Sequence, residues 1–257
     1  PGGIDTLGHL SKIEQVATQW RRLEFTDWYP WWYNGASTVQ YYPPVSVWFP
    51  TLIQLVTDDI GLTFKILTWF CLFTGALAAD GLCRVLGLNP LGAVISGLFY
   101  ATGTYTLYTV FGDGTLGRAL ALPLFPWLIS TILKLAESLS PKRWLQVAGL
   151  VALTILVHAM HAYLLFIHTA LLVVVLSKKW DHWLLRMGSI ASAAVCGLAV
   201  TGFWSIPGYL QWDIPGVPAP GVGWEVFWAT SIRSLFNWEV VGSYALFGLA
   251  LLGIVPA

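Results

Sequence analysis

Charge is scarce in this chain. Asp, Glu, Lys and Arg make up 10% of its 257 residues, against about a quarter in an ordinary soluble domain. The few charges cancel to a formal net charge of zero, so no surplus draws the protein to a polyanion, and nucleic acid is excluded as a partner. Cysteine is almost as rare. Cys71, Cys83 and Cys196 lie far apart, in or beside apolar runs, without the close spacing of a zinc or redox motif, and they read as small apolar fillers. The chain has no internal repeat, no low-complexity tract, and no hydrophilic linker long enough to divide off a soluble domain. No basic segment leads into a short apolar one at its start, so it carries no signal-peptide pattern. It opens at Pro1-Gly2-Gly3 rather than at Met, which leads us to expect a fragment of a longer chain with a further span before Pro1.

What the chain has in abundance is apolar side chains, 56% of residues, with a mean hydropathy of +0.68. A bilayer is the natural solvent for such a composition. A spanning helix needs roughly 20 mostly apolar residues. Runs of that kind lie near 61–79, 90–111, 119–136, 145–160, 161–177, 188–210 and 241–257. The expected fold is therefore all-α, a polytopic transmembrane protein of about seven spans, with residues 1–60 as a large external loop and 61–257 as the helical membrane domain. The run 145–177 is too long for one span and carries His158 and His161 at its centre, which predicts a helical hairpin split there.

Lys142 and Arg143 fall in one short connection, and Lys178, Lys179 and Arg186 in another, which assigns both to the cytoplasm. Alternation then puts segment 1–60, the Gly112-Asp113-Gly114 turn, the His158/His161 turn and the loop 211–240 together on the external face. Lys12, Arg21 and Arg22 share that side, where a long loop weakens the positive-inside bias.

From Asp5 onward, Leu7, Leu10, Ile13, Ala17, Trp20 and Leu23 recur every three or four residues, with His9, Lys12, Gln15, Gln19 and Arg22 between them. This predicts an amphipathic helix over 6–23 that lies in the membrane interface, capped by the Asp5 carboxylate. The next stretch, Trp28-Tyr29-Pro30-Trp31-Trp32-Tyr33-Asn34-Gly35 and then Tyr41-Tyr42-Pro43-Pro44, sets aromatics among Pro and Gly. Such rings anchor a loop at the headgroup level, and their faces also build sugar-binding platforms. Trp31, Trp32, Tyr41 and Tyr42 are the candidates for that second role.

The order of these motifs, Asp5 to His9, the horizontal helix, the aromatic run and the Tyr-Tyr-Pro-Pro entry, resembles the first external loop of polytopic glycosyltransferases of the GT-C type. More specifically, it resembles bacterial membrane proteins known as 6-pyruvoyl-tetrahydropterin synthase-related. Nothing in the sequence points to a soluble pterin enzyme. The likeness covers residues 1–60 well and the helical hairpins to about residue 177 more loosely. It implies a GT-C-like fold in the bacterial cytoplasmic membrane with the Asp5 loop outside, Asp5 as the catalytic acid position, and a polyprenyl-phosphate sugar as donor.

The chemistry is coherent with the residues present. Transfer from a lipid-phosphate sugar needs a carboxylate to take the acceptor's proton, which is Asp5, and donors to steady the departing phosphate. Arg118 is the first choice for the second task because its fork meets phosphate bidentately. Lys12 and Arg22 come behind it. His9, Asp113, His158 and His161 complete the candidate substrate contacts. For Arg118 an ion pair with Asp113 is an equal reading, and for Asp113 a turn-shaping role. For the two histidines a hydrogen-bonded turn is the leading reading, and a divalent metal or a pigment's magnesium stays open, although no third ligand is apparent. Lys65 is expected to snorkel toward Asp58 or Asp59, Asp80 and Arg84 to pair, His168 to be a packing residue, and Gly97, Ala101 and Gly103 to mark close helix contacts. The competing reading is a non-catalytic subunit of a larger membrane assembly, with lipids and other membrane subunits as its partners. A secondary transporter fits less well, because no paired, broken spans recur in matching halves.

Overall fold

The computed structural model describes residues 3, 5–25, 28–30, 36–37, 39, 42–177 and 181–210. Their architecture is helical apart from one two-residue antiparallel ladder, β1 (Trp28–Tyr29) with β2 (Ala36–Ser37), in which Trp28 faces Ser37 and Tyr29 faces Ala36. Before the ladder runs α1 (Thr6–Arg21), and after it α2 (Val45–Thr57). The two helices pack on one another and against the longer helices that follow. Arg21 joins their far ends, through the Asp58 carboxylate at 2.6 Å and the Gln54 carbonyl at 3.2 Å.

The first long helix, α3 (Ile60–Val85), starts where Asp59 adopts an extended backbone and its carboxylate accepts the Leu62 N–H at 3.0 Å, satisfying one of the helix's free donors. Its 26 residues reach roughly 39 Å, enough to cross a bilayer. A tight turn with Gly87 at φ +89° leads to α4 (Pro90–Thr102), which is capped by Asn89 and has Pro at its first turn. The hairpin closes tightly. A Cβ on Gly97 would lie 2.5 Å from the Ala76 carbonyl oxygen, so only glycine lets these two helices meet.

Gly103, extended at ψ 148°, ends α4. A short α5 (Thr104–Leu107) and a π-helical turn (Tyr108–Asp113) follow, closed by Gly114 at φ +70°. Then come α6 (Leu116–Ala121) and α7 (Leu124–Glu137), which together make one apolar stretch of 22 residues. After it α8 (Pro141–Val157) starts from a Ser140 cap, and α9 (Ala159–Ser177) follows a one-residue break at His158, φ −160° and ψ 98°. Helix α9 returns along α8, so that Val147 and Val151 share a cavity with Phe166 and Val173. The last described elements are α10 (Trp183–Val200) and α11 (Gly202–Leu210). Gly197 lets α10 lie directly on the α8 backbone at Ala148.

Two cores result. Leu128, Leu135, Val147, Val151, Leu165 and Ala193 join α7, α8, α9 and α10, while Ile13, Leu67, Cys71, Leu116 and Leu120 bind α1 to α3 and α6. Among the described residues, three helical stretches are long and apolar enough to cross a membrane: Ile60–Val85, Leu116–Glu137 and Trp183–Val200. Their outward surfaces carry Trp69, Phe73, Leu77, Val195 and Leu198, as expected where lipid rather than water is the neighbour.

Several expectations need correction. The runs 90–111 and 188–210 are not single helices, since Gly103 breaks the first and Thr201-Gly202 the second. Gly103 meets only the carbonyls of its own preceding turn, Phe99 at 2.9 Å, so it is a breaker rather than a helix contact. Within residues 1–60 a second helix, α2, follows the expected α1. Lys65 pairs with neither expected acid: Asp58 holds Arg21, and Asp59 caps α3. The split at His158 and the Asp80–Arg84 pair are as expected, the latter a two-bond contact at 2.8 and 3.0 Å. His168 meets Phe125 edge-on. The run 241–257 and the loop 211–240 lie outside the described residues.

Candidate functional site

The site begins with a backbone contact across 108 positions, in which the Asp5 N–H donates to the Asp113 carbonyl at 3.0 Å. Two glycines permit it. A Cβ on Gly3 would lie 2.7 Å from the Asp113 carbonyl oxygen, and one on Gly114 would strike the Thr6 hydroxyl. The chain before α1 thus lies flat on the turn after the π-helical segment. This brings two carboxylates together. The Thr115 hydroxyl is 2.9 Å from Asp113 Oδ2 and 3.4 Å from Asp5 Oδ2. One hydroxyl proton serves one acceptor at a time, so the shorter bond holds Asp113 and leaves the Asp5 carboxylate the freer of the two.

Arg118 Nη1 ion-pairs with Asp113 Oδ2, while its Nε is buried without a protein partner among the described residues. The expected ion pair is therefore present, yet part of the Arg118 fork remains uncommitted. The predicted helix cap is absent. Asp5 occupies the residue before α1 but has φ −94° and ψ −5° and makes no side-chain bond to the helix. Its carboxylate is turned toward Thr115 and Asp113 instead.

Helix α1 buries Ile13 and Ala17 of its apolar pattern, but it also turns polar side chains inward. Leu7 and Leu23 are each 78% exposed, whereas Lys12 is 2% exposed and His9 6%. The reason is Tyr42. Its ring takes His9 edge-on at 5.4 Å and Lys12 Nζ over its face at 3.9 Å, the latter a cation–π contact that substitutes for part of the lost hydration. Burial is the first cause that lowers both groups. His9 falls to about 4, helped by Lys12 and opposed by Asp5 and Asp113, and Lys12 falls to about 8, opposed by Asp5. Burial also pushes the Tyr42 phenol up, and the Asp5 charge adds to it. At neutral pH His9 is thus an uncharged ring and Lys12 a cation with little to spare.

A further side of the site comes from the α8–α9 break. The His161 N–H donates to His158 Nδ1 at 3.1 Å, so in its neutral form the His158 ring carries its proton on Nε2. A Cβ on Gly117 would lie 3.3 Å from His158 Cδ2, which places this ring against the start of α6, one residue from Arg118. His161 Nε2 meets the Tyr105 hydroxyl at 3.1 Å, and its Nδ1 is buried without a partner among the described residues.

The chain therefore draws Asp5, His9, Tyr42, Asp113, Arg118 and His158 to one end of the helical body, with His161 a layer behind. Trp31, Trp32 and Tyr41 lie outside the described residues. Arg22 is exposed at the far end of α1 and does not belong to the group. Thr6, Thr115 and Tyr105 were not anticipated, and no spacing in the sequence singles them out, since each owes its place to a contact with a distant segment. Among the described residues no three His, Cys, Asp or Glu side chains cluster as a metal site would require.

No curated protein and no solved structure shows significant similarity to the chain. Residues 39–254 match the family described as 6-pyruvoyl-tetrahydropterin synthase related domain, membrane protein. Tyr42, Asp113, Arg118, His158 and His161 lie within that match, and Asp5, His9 and Lys12 precede it. With most of its length matched and three helices fit to cross a bilayer, the chain belongs to this family and is a polytopic helical membrane protein.

Proposed function

We propose that the protein is a membrane glycosyltransferase of GT-C type, which moves a sugar from a polyprenyl-phosphate donor to an acceptor hydroxyl at the external face of the bacterial cytoplasmic membrane. The observation that carries this reading is the freer carboxylate of Asp5 beside Asp113–Arg118, where apolar helices end. In the reaction the acceptor oxygen attacks the anomeric carbon and its proton passes to the Asp5 carboxylate. The bond from that carbon to the phosphate oxygen breaks, and the electron pair leaves with the lipid phosphate. Arg118, through its uncommitted Nε edge, and Lys12 supply positive charge for the phosphate. Neutral His158 offers an Nε2–H donor. The basic connections at Lys142/Arg143 and Lys178/Lys179 support the external placement of Asp5.

A second reading is a non-catalytic subunit on the same scaffold. The Asp113–Arg118 ion pair favours it, since each charge already has its partner. The experiment that separates the two is transfer from a panel of radiolabelled polyprenyl-phosphate hexoses by the purified protein in liposomes. Turnover that disappears in Asp5→Asn, with expression and monodispersity unchanged, supports the transferase. Absence of turnover with every donor, or wild-type turnover in Asp5→Asn, overturns it.

A further inference from the structure

A groove on the lipid-facing side of α3 is lined by Phe64, Lys65, Thr68, Trp69, Leu72 and Phe111. Lys65 is exposed and sits roughly 8 Å inside the helix from its Ile60 end, within a stretch apolar enough to span. An ammonium at that depth calls for an anion. Neither acid at that end of α3 pairs with it: Asp58 holds Arg21 at 2.6 Å and Asp59 caps the helix through the Leu62 N–H at 3.0 Å, and Lys65 makes no ion pair among the described residues. Around it the walls are apolar. Trp69 lies one turn deeper and is 71% exposed, and Phe111 of the π-helical turn closes the other side. The groove thus joins one positive charge near the headgroup level to an apolar channel that leads into the bilayer.

We propose that this groove is a binding site for one anionic phospholipid, with its phosphodiester on the Lys65 ammonium and an acyl chain along Trp69, Leu72 and Phe111. A phosphodiester with no headgroup cation, unlike that of phosphatidylcholine, carries one net negative charge, which one ammonium matches, and Lys65 reaches it by snorkelling toward the interface. None of the groove's lining residues belongs to the polar cluster. The groove's lining holds no acid that could act on a donor's anomeric carbon, so the occupant is a bilayer lipid rather than the donor. The claim concerns binding and stands without the transferase reading.

The test is native mass spectrometry of the full chain, released from detergent with phosphatidylglycerol, phosphatidylcholine or a polyprenyl-phosphate hexose. One retained phosphatidylglycerol is expected, favoured over phosphatidylcholine by about fivefold, the effect of one lysine near a lipid surface. Lys65→Gln removes the preference and Lys65→Arg keeps it, so loss in the first without the second is not misfolding. Trp69→Ala weakens retention of phosphatidylglycerol while the preference over phosphatidylcholine survives. Equal retention of both phospholipids by wild type, an unchanged preference in Lys65→Gln, or displacement of phosphatidylglycerol by equimolar polyprenyl-phosphate hexose would overturn the proposal.

Discussion

Two of the three acid–arginine pairs among the described residues lie at opposite ends of this molecule, and they are built differently. Asp80 and Arg84 stand one turn apart on α3, at 2.8 and 3.0 Å, a spacing that any helix provides. Asp113 and Arg118 straddle the end of the π-helical turn and the start of α6, and their neighbourhood includes Asp5, His9 and His158 from three other segments. The first pair is a local consequence of helix geometry in an exposed place. The second exists only because the whole fold delivers its parts, and it crowds like charges, buried rings and unsatisfied donors into one region. Such crowding costs stability, and function is the usual reason that a fold keeps it.

The sharpest way to break this contrast is to remove one carboxylate charge from each end. Asp5→Asn should lower turnover with a polyprenyl-phosphate hexose by about 10²–10⁴-fold, the usual worth of a general base, while Asp80→Asn leaves it unchanged. Equal losses in both would mean that the two ends contribute alike.

Glycine offers the next test, because each end has one at positive φ. Gly87, at φ +89°, has nothing within 4 Å of an added Cβ, whereas at Gly114, φ +70°, that atom meets Thr6 and Gly3. Gly87→Ala should cost about 1 kcal/mol of backbone strain. Gly114→Ala should cost about 2–4 kcal/mol, since strain and collision add. Thermal unfolding in a fixed detergent reads both, and similar midpoints would show that the Gly3–Gly114 contact does not hold the cluster together.

A smaller effect depends on pH. His9 is held near 4 in the folded protein, against 6.5 for an ordinary histidine. Between those values the unfolded chain binds a proton that the folded one refuses, so stability falls as pH drops from about 6.5 to about 4, by at most about 3 kcal/mol, and is fully present above that window. His9→Gln should flatten this acid limb in a melting-temperature profile. An unchanged limb would assign it to other groups. Smallest of all is Arg84→Gln, whose exposed pair should leave the melting temperature within error of wild type. A clear drop would make the local pair structural.

Much of this was legible in the sequence, for identifiable reasons. Apolar runs and loop charges report on the bilayer directly, so α3, the Leu116–Glu137 stretch and the His158 break were foreseeable. The alternation of apolar runs alone gathers Asp5, Asp113 and His158 to one end, although it gives no distances. The burial of Lys12 and His9 on α1 was not legible. A hydrophobic pattern assumes that the polar face looks at water, but here Lys12 and His9 face a tyrosine 30 and 33 residues away in the chain, and Leu7 is left outside. The Asp5 side chain was misread for a related reason. Its position before a helix suggests a cap, and only the arrival of Thr115 and Asp113 turns the carboxylate elsewhere. Contacts such as His161 with Tyr105 leave no local trace at all.

The π-helical turn at Tyr108–Asp113 sets the angular phase of everything after it. An ordinary helix advances about 100° per residue, and a π-turn accommodates one extra residue within nearly the same length. That surplus lets Phe111 face the groove beside Trp69 while Asp113, two positions later, faces Asp5. Removing one residue from this turn would change the chain's length hardly at all, but it would turn the Asp113 side of the loop away by about a quarter of a revolution. The turn therefore acts as a phase adjuster between the membrane flank and the polar end, and single-residue deletions there should be far less tolerated than point substitutions at the same positions.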